Sequence, residues 1–347
     1  MGNNNVVKVG LIGFGTGGEF FHAPFIHAIK MFELTAILER TKDKSKARYP
    51  NVKVVRTVEE LLVIEEIELI VIATPNDTHF YLAQKALKAG KHVVLDKPFT
   101  VTSEECEMLI QLAKKEEKIL TVYHNRRFHS DFKTLQALLS KNELGEITEY
   151  LACFDRYRPE LRPTAWKEIE RPGAGILYDL GSHLIDQVLV LFGKPLAISA
   201  ELKTERPGAK VTDFFELVMH YKNHKAVLKA GMLVDQPGPV FKVTGTKATY
   251  TKYGADPQEA LLKAGIMPND VQWAKELEDA WGEVTSEGTS HKVPPLYSDY
   301  RDFYWNVYYA IVFGEELEIR PEQAAMVIRC IELAIRSSVE NKAKISL

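Results

Sequence analysis

Cysteine is scarce in this chain: three in 347 residues, at Cys106, Cys153 and Cys330. Their spacing makes neither a disulfide framework nor a set of metal ligands, so no metal is expected. An excess of one charge is lacking as well. Lys and Arg number 44 against 47 Asp and Glu, a formal charge of −3, which leaves no basic footprint for nucleic acid or an anionic membrane. No apolar run approaches the roughly 20 residues that span a bilayer. The start, Met1-Gly2-Asn3-Asn4-Asn5, has no basic stretch leading into an apolar one, so no secretory signal is read there. Gly2 would suit myristoylation, but Val6 stands where that motif needs Ser or Thr. These absences lead to the expectation of a soluble, cytoplasmic protein. What remains is 46% hydrophobic and 26% charged, the balance of a globular chain, at a length that suits two domains.

The first third alternates strand and helix signals. Residues 6–12 form a β-branched run that stops at Gly13 and read as a buried parallel strand. A helical stretch is expected over 19–31, with further strands at 34–38, 69–73, 92–95 and 119–122. Helices are expected at 81–88, stopped by Gly90, and from Thr102-Ser103-Glu104-Glu105, which resembles a capping box, through 116. Such alternation implies a parallel sheet covered on both faces, with ligands at the carboxyl ends of its strands.

Gly13-Phe14-Gly15-Thr16-Gly17-Gly18 follows the first strand at once. Gly13, Gly15 and Gly18 have the G-x-G-x-x-G spacing: one glycine for the tight turn, one for close approach of a pyrophosphate, one for helix–strand packing. The helix that opens here offers free N–H groups to phosphates. The spacing alone is weak evidence, and a glycine-rich turn without a ligand is the plain alternative. Glu39 strengthens it, because an acidic residue is expected about twenty positions after the last glycine, where it meets the adenosine ribose. The reading is a nicotinamide dinucleotide on a Rossmann sheet. Glu39 favours NAD(H) and would repel a 2′-phosphate, whereas Arg40, Thr41 and Lys42 could grip one. The balance tips slightly to NAD(H). Thr16, Thr74, Pro75, Asn76 and His79, at the strand ends, complete the expected cofactor-binding set with Lys97.

Lys97 follows a strand end, and Pro98 keeps it out of helical conformation. There an ammonium could bond a substrate hydroxyl and stabilise alkoxide charge during hydride transfer; the plain alternative is a surface lysine paired with Asp96. Past residue 123 the pattern changes. Strand-like runs at 146–154, 197–202, 214–221 and 225–233 lack regular intervening helices and suggest an α+β domain with a mostly antiparallel sheet. One helix, over about 175–192, is apolar nearly all round and therefore buried, yet carries Asp179 and His183 at i and i+4. His183 reads as the proton acceptor from a substrate hydroxyl, with Asp179 orienting it or binding a neighbouring hydroxyl. A structural Asp–His pair is the alternative. His124-Asn125-Arg126-Arg127 and Arg156-Tyr157-Arg158 read as reaching the substrate or as solvated charged loops; Asn125, Arg127 and Tyr157 are the substrate-binding candidates. The aromatic run 297–309 reads as core packing, 268–295 as a long loop or short helices, and 323–338 as a closing amphipathic helix.

Taken together these residues resemble the glucose–fructose oxidoreductase, inositol dehydrogenase and MocA (Gfo/Idh/MocA) family over nearly the whole chain. The glycine loop matches, Asp96-Lys97-Pro98 matches the family's Glu-Lys-Pro with Asp for Glu, and Asp179 and His183 match its Asp-x-x-x-His. Phe21-His22-Ala23-Pro24, Tyr123-His124-Asn125-Arg126-Arg127, Arg156-Tyr157-Arg158-Pro159-Glu160 and 252–259 are similar to the branch of NADP-linked scyllo-inositol dehydrogenases. The resemblance implies Lys97 and His183 as the catalytic pair with Asp179 as partner. It also implies a cis peptide before Pro98 and subunits that pair through an open sheet, as a homodimer or homotetramer. Glu39 departs from that branch, which has a small polar residue there. The expected division is a dinucleotide-binding domain over 1–122 and a substrate-binding and oligomerisation domain over 123–347. The expected reaction is hydride transfer between the nicotinamide and a secondary alcohol of a cyclic polyol or sugar. Reduction of an aldose, ketose or related carbonyl compound is the enzymatic rival, and a non-catalytic dinucleotide-sensing regulator is the rival of another class.

Overall fold

In the computed structural model, which describes residues 6–341 and 345–346, the chain divides into two units. The first runs through Asn125 and takes in Gln258–Trp273 and Asp299–Ala325. The second comprises Arg126–Pro257, Ala274–Ser298 and the residues from Met326 on.

Six strands form the sheet of the first unit: β1 (Val7–Ile12), β2 (Phe32–Leu38), β3 (Lys53–Val55), β4 (Leu69–Ile72), β5 (His92–Asp96) and β6 (Leu120–Tyr123). Their order is β3-β2-β1-β4-β5-β6, and every pairing is parallel. The apolar run of β4, and that of β1 apart from Lys8, follow from position: Val9, Leu11, Leu69, Ile70 and Val71 are completely buried, as central strands covered on both faces must be. The strand order reverses between β1 and β4, and the carboxyl ends at such a reversal are where doubly wound sheets take ligands.

The helices are α1 (Ala23–Ala28), α2 (Val58–Leu62), α3 (His79–Lys88) and α4 (Ser103–Lys115). The capping box is formed: Glu105 N–H donates to the Thr102 hydroxyl and Thr102 N–H to the Glu105 carboxylate, each at 3.2 Å, worth about 1 kcal/mol. One expectation is corrected. The helix read over 19–31 is a π-wound turn, Gly17–His22, followed by α1, which ends at Ala28. Pro24 explains the break. It lacks an N–H and crowds the carbonyl four residues back, and the turn before it is widened so that Ala23 N–H reaches Gly18 O. The short β3 and α2 were not anticipated, since three and five residues carry too little periodicity.

His92, on β5, accepts Ile119 N–H through Nδ1 at 3.0 Å. Burial, reinforced by the Lys118 charge, lowers its pKa to about 4. The unfolded chain therefore takes up a proton near pH 6.5 that the folded chain refuses until about 4. This contribution is complete above pH 6.5 and is lost as pH falls toward 4, about 2 kcal/mol once partial exposure is allowed for. His92→Gln should flatten the fall of Tm between those pH values; an unchanged acid slope in a thermal-unfolding series would refute the assignment.

Two later helices, α5 (Ser130–Ser140) and α6 (Ser182–Phe192), belong to the second unit, whereas α7 (Gln258–Lys263) and α8 (Arg301–Phe313) belong to the first. Tyr300, Phe303 and Tyr304 are buried, with ring contacts to Phe25 at 5.7 Å and Tyr123 at 4.7 Å, so this part of the aromatic run is core packing, whereas Tyr297 and Tyr309 are exposed. The helix α9 (Pro321–Val339) has its proline in the first turn, where the missing N–H costs nothing.

The sheet of the second unit contains β7 (Ile147–Cys153), β8 (Ala197–Lys203), β9 (Phe214–His220), β10 (Lys225–Gly231), β11 (Phe241–Gly245), β12 (Thr249–Lys252), β13 (Gly282–Ser286), β14 (Thr289–Val293) and β15 (Ile345–Ser346). The order is β14-β13-β12-β11-β7-β10-β9-β8-β15. Only β7–β10 is parallel, so the sheet is mostly antiparallel as expected. The reading of 268–295 as a long loop or short helices is corrected in part: a short 3₁₀ turn stands at Glu278–Ala280, and the hairpin β13–β14 follows it. Glu287 (φ 49°) and Gly288 (φ 79°) turn it with two positive φ values, the tight hairpin geometry. β14 is almost wholly exposed, so no apolar alternation announced it.

Candidate functional site

The glycine loop is built around one contact and one space. Gly13 has φ 94°, and a Cβ there would stand 2.6 Å from Ala73 O, beyond the end of the neighbouring strand. A Cβ on Gly18 would stand 2.1 Å from Gly13 O. These two glycines are demanded by the fold itself. Gly15 is not, because a Cβ there would meet nothing within 4 Å, and Gly15 and Thr16 are exposed. Among the described residues nothing requires a glycine at 15, and the open backbone leaves room of the kind a pyrophosphate would need.

The loop after β4 lies beside it. The Thr74 and Thr78 hydroxyls are 2.7 Å apart, and Asn76 opens a short 3₁₀ turn. His79 is completely buried. Its Nε2 lies 3.0 Å from Thr74 O and its Nδ1 2.9 Å from Pro98 O. It therefore ties the Thr74-Pro75 loop to the Lys97-Pro98 turn from beneath. Lys97 follows β5 directly, and the Lys97–Pro98 peptide is cis. With Glu39 and Arg40 after β2, the expected cofactor residues of this unit stand at the ends of four adjacent strands, β2, β1, β4 and β5.

Glu39 does something the sequence did not disclose. It is buried, and its oxygens accept Lys44 N–H at 3.0 Å and Ser45 N–H at 2.9 Å. Arg56 donates to the carbonyls of Glu39 and Lys42 at 2.8 and 2.7 Å, and Lys44 bonds Glu19. The carboxylate anchors the loop after β2, while Arg40, Thr41 and Lys42 stand exposed.

In the second unit the Asp-x-x-x-His segment corrects a third expectation. The helix read over 175–192 begins with a π-wound stretch, Leu177–Gly181, before α6. Asp179 sits in that widened stretch and His183 in the first turn of α6. Such π turns recur where a helix must present functional groups. Gly175 (φ 88°) leads in, because a Cβ there would meet Thr212 O at 2.9 Å. Asp179 is held by Lys167 Nζ, with Arg156 Nη1 at 4.0 Å from its other oxygen. His183 is buried.

The remaining candidates separate. Tyr157 is 57% exposed and pairs with Leu233 in an isolated antiparallel bridge. Arg127 and Asp186 form a buried two-point pair at 2.8 and 2.6 Å, of a kind whose disruption costs about 3–5 kcal/mol. Arg126 lies 4.2 Å over the Phe154 ring, and Asn125 is buried at the start of a 3₁₀ turn. Sequence reasoning missed Lys167 as the Asp179 partner and Asp186 as the Arg127 partner. Both pairings are long-range, with no local spacing to betray them.

Comparison with known proteins places both domains in one family. Residues 7–124 match the family model GFO_IDH_MocA, "Oxidoreductase family, NAD-binding Rossmann fold", and residues 136–347 its companion, "Oxidoreductase family, C-terminal alpha/beta domain". The chain is 36% identical over 342 residues to a scyllo-inositol 2-dehydrogenase (NADP(+)) of Bacillus subtilis, covering 97% of this chain and 95% of that one. It is 41% identical over 337 residues to an uncharacterized oxidoreductase, YdgJ, of Escherichia coli, covering 96% of each. A solved putative oxidoreductase, yvaA, from Bacillus subtilis superposes with a TM-score of 0.95 at 35% identity over all of both chains. One from Bacteroides fragilis gives 0.89 at 42% identity, covering 99% and 100%.

Proposed function

Because the chain belongs to the Gfo/Idh/MocA oxidoreductase family, as an NAD(P)-dependent dehydrogenase, we propose that its substrate is a secondary alcohol of a cyclic polyol or sugar. The observation that carries this is the open cradle at Gly15 with Lys97 at the end of a nearby strand of the same sheet. The inositol dehydrogenase among its relatives supports the polyol. When bound, the dinucleotide supplies the nicotinamide that exchanges the hydride. The ammonium of Lys97 bonds the alcohol oxygen and stabilises the charge that develops on it. His183 takes the hydroxyl proton, and Asp179, oriented by Lys167 and Arg156, fixes the ring or a neighbouring hydroxyl. Asn125 and Tyr157 contact the polyol, and Arg127 supports their segment through Asp186. Residues 1–122 serve the cofactor and 123–347 the substrate and subunit pairing, in a cytoplasmic homodimer or homotetramer. Run backward, the same groups reduce the corresponding ketone.

For the cofactor, the balance moves from NAD(H) to NADP(H). The Glu39 oxygens already accept two backbone N–H groups, so the carboxylate is poorly available to a ribose. Arg40 is exposed beside it, and a relative is NADP-linked. Fluorescence titration should show NADPH binding at least tenfold tighter than NADH, about 1.4 kcal/mol. Arg40→Ala should remove most of that difference while leaving NADH within about twofold. Tighter NADH binding by the unaltered protein would reverse the assignment.

A further inference from the structure

Behind Lys97 lies a buried group that no substrate or cofactor role has absorbed. His22 is completely buried, at the end of the π-wound turn that begins at Gly17. Its Nδ1 lies 2.7 Å from the Tyr304 hydroxyl, and its ring packs against Tyr123 at 4.8 Å between centroids. Its Nε2 faces Asp96 Oδ1 at 3.8 Å, within ion-pair range, and makes no hydrogen bond of its own. The same Asp96 oxygen accepts the backbone N–H of Lys97 at 2.8 Å. The other, Oδ2, lies against the glycine loop, where a Cβ on Gly17 would come within 2.9 Å of it. Gly17 is outside the G-x-G-x-x-G pattern, and the Asp96 carboxylate accounts for it.

We infer that His22 is a positioning residue for Lys97, acting through Asp96. This rests on Lys97 being the catalytic group proposed above. With the Tyr304 hydroxyl donating to Nδ1, or with both ring nitrogens protonated, the nitrogen that faces the carboxylate carries a proton. The opposite tautomer would set a lone pair against an anion. The Nε2 proton keeps Asp96 ionised and aimed, so that Oδ1 holds the Lys97 backbone and Oδ2 rests on the glycine loop. The π turn matters here: Gly17 and His22 are five residues apart, the spacing that its i→i+5 bonding brings together, and both meet Asp96. Dinucleotide cradle and lysine are thereby made one rigid part, which is what a misplacement-sensitive hydride transfer requires.

The groups that act on Asp96 are His22, Lys97 on its own turn and His79 of α3, and Asp96 in turn acts on Tyr123 at the end of β6 and Tyr304 of α8. Burial alone would raise the Asp96 pKa; the His22 contact, with the charges of Lys97 and His79, brings it down to about 2. Without His22 the burial effect gains ground and Asp96 protonates at higher pH. The sign is then fixed: in the variant, activity falls as pH is lowered, in a range where the unaltered enzyme is flat.

The test compares unaltered enzyme, Lys97→Ala, His22→Leu, His22→Gln and Asp96→Asn, using scyllo-inositol with NADP+. His22→Leu should lose at least tenfold in kcat, keep its NADPH Kd within threefold, and acquire the acid limb in kcat/KM. His22→Gln, which restores an N–H donor, should recover to within threefold, and Asp96→Asn should lose as much as His22→Leu. Asp96→Asn and His22→Gln carry the test if the leucine variant does not fold. Reductive ¹³C-methylation gives a readout independent of turnover: the Lys97 resonance, identified by its loss in Lys97→Ala, should move in His22→Leu and return in His22→Gln. Glutamine no better than leucine, or wild-type kcat, pH profile and resonance in His22→Leu, would overturn the inference. Full activity in Lys97→Ala, or an unaltered enzyme without turnover, would instead count against the proposed function, and the resonance alone would then decide the role of His22.

Discussion

Replacement of Lys97 or of His183 by Ala should lower turnover at least 10²-fold, the range that positioned proton-transfer and charge-stabilising groups supply, with NADPH affinity nearly unchanged. The two variants should differ in kind. Lys97→Ala removes the donor that bears on the alcohol oxygen, so kcat falls across all pH values. His183→Ala removes the acceptor of the hydroxyl proton, and raising the pH, which helps to ionise the alcohol without it, should recover part of the loss. The measurement is steady-state kcat against pH, with cofactor Kd by fluorescence as the control. Full activity in both variants would remove the catalytic assignment. A parallel loss of cofactor binding would place the residues in the cradle instead.

The glycine loop yields the second large effect, because its glycines are required for different reasons. Gly18→Ala places a methyl 2.1 Å from Gly13 O. Backbone cannot yield there as a flexible side chain would, so roughly 2–4 kcal/mol of stability should be lost and dinucleotide binding with it. Gly15→Ala meets nothing within 4 Å, and its Tm should stay within about a degree. The methyl nevertheless occupies the face on which a pyrophosphate must sit, so NADPH Kd should rise at least tenfold, about 1.4 kcal/mol. Thermal unfolding and fluorescence titration of the two variants separate fold from function. Gly15→Ala with normal affinity would mean that the loop is no phosphate cradle.

Much of this was legible in the sequence where the causal distance is short. The apolar runs of β4 and β5, and of β1 apart from Lys8, read as covered parallel strands, and the capping box at Thr102 and Glu105 marked the start of α4. Gly13, Gly15 and Gly18 marked a loop–helix junction through their spacing together with the strand before them and Glu39 after them. What stayed hidden depends on tertiary partners. Glu39 reads as a ribose ligand, and only the structure shows that its oxygens also accept the Lys44 and Ser45 N–H groups. Arg127 reads as a substrate cation until Asp186, 59 residues later, is found in its fork. The π turns at Gly17–His22 and Leu177–Gly181 carry no composition of their own, so both segments looked like ordinary helix. Buried Lys252 breaks the apolar alternation of β12, and its bond to Glu276 could not be foreseen. His22 and Gly17 were visible only as members of short motifs. Their common partner, Asp96, gives them a reason.

The central claim is hydride transfer from a cyclic polyol. The measurement that bears on it most directly is reduced-nicotinamide absorbance as the purified protein meets NADP+ or NAD+ and a panel of inositols, aldoses and ketoses, followed in both directions. The account predicts formation of reduced cofactor with at least one inositol or closely related cyclic polyol, abolished in the Lys97→Ala and His183→Ala variants. Stoichiometric cofactor binding with no turnover on any member of the panel would contradict it and point to a protein that senses the dinucleotide.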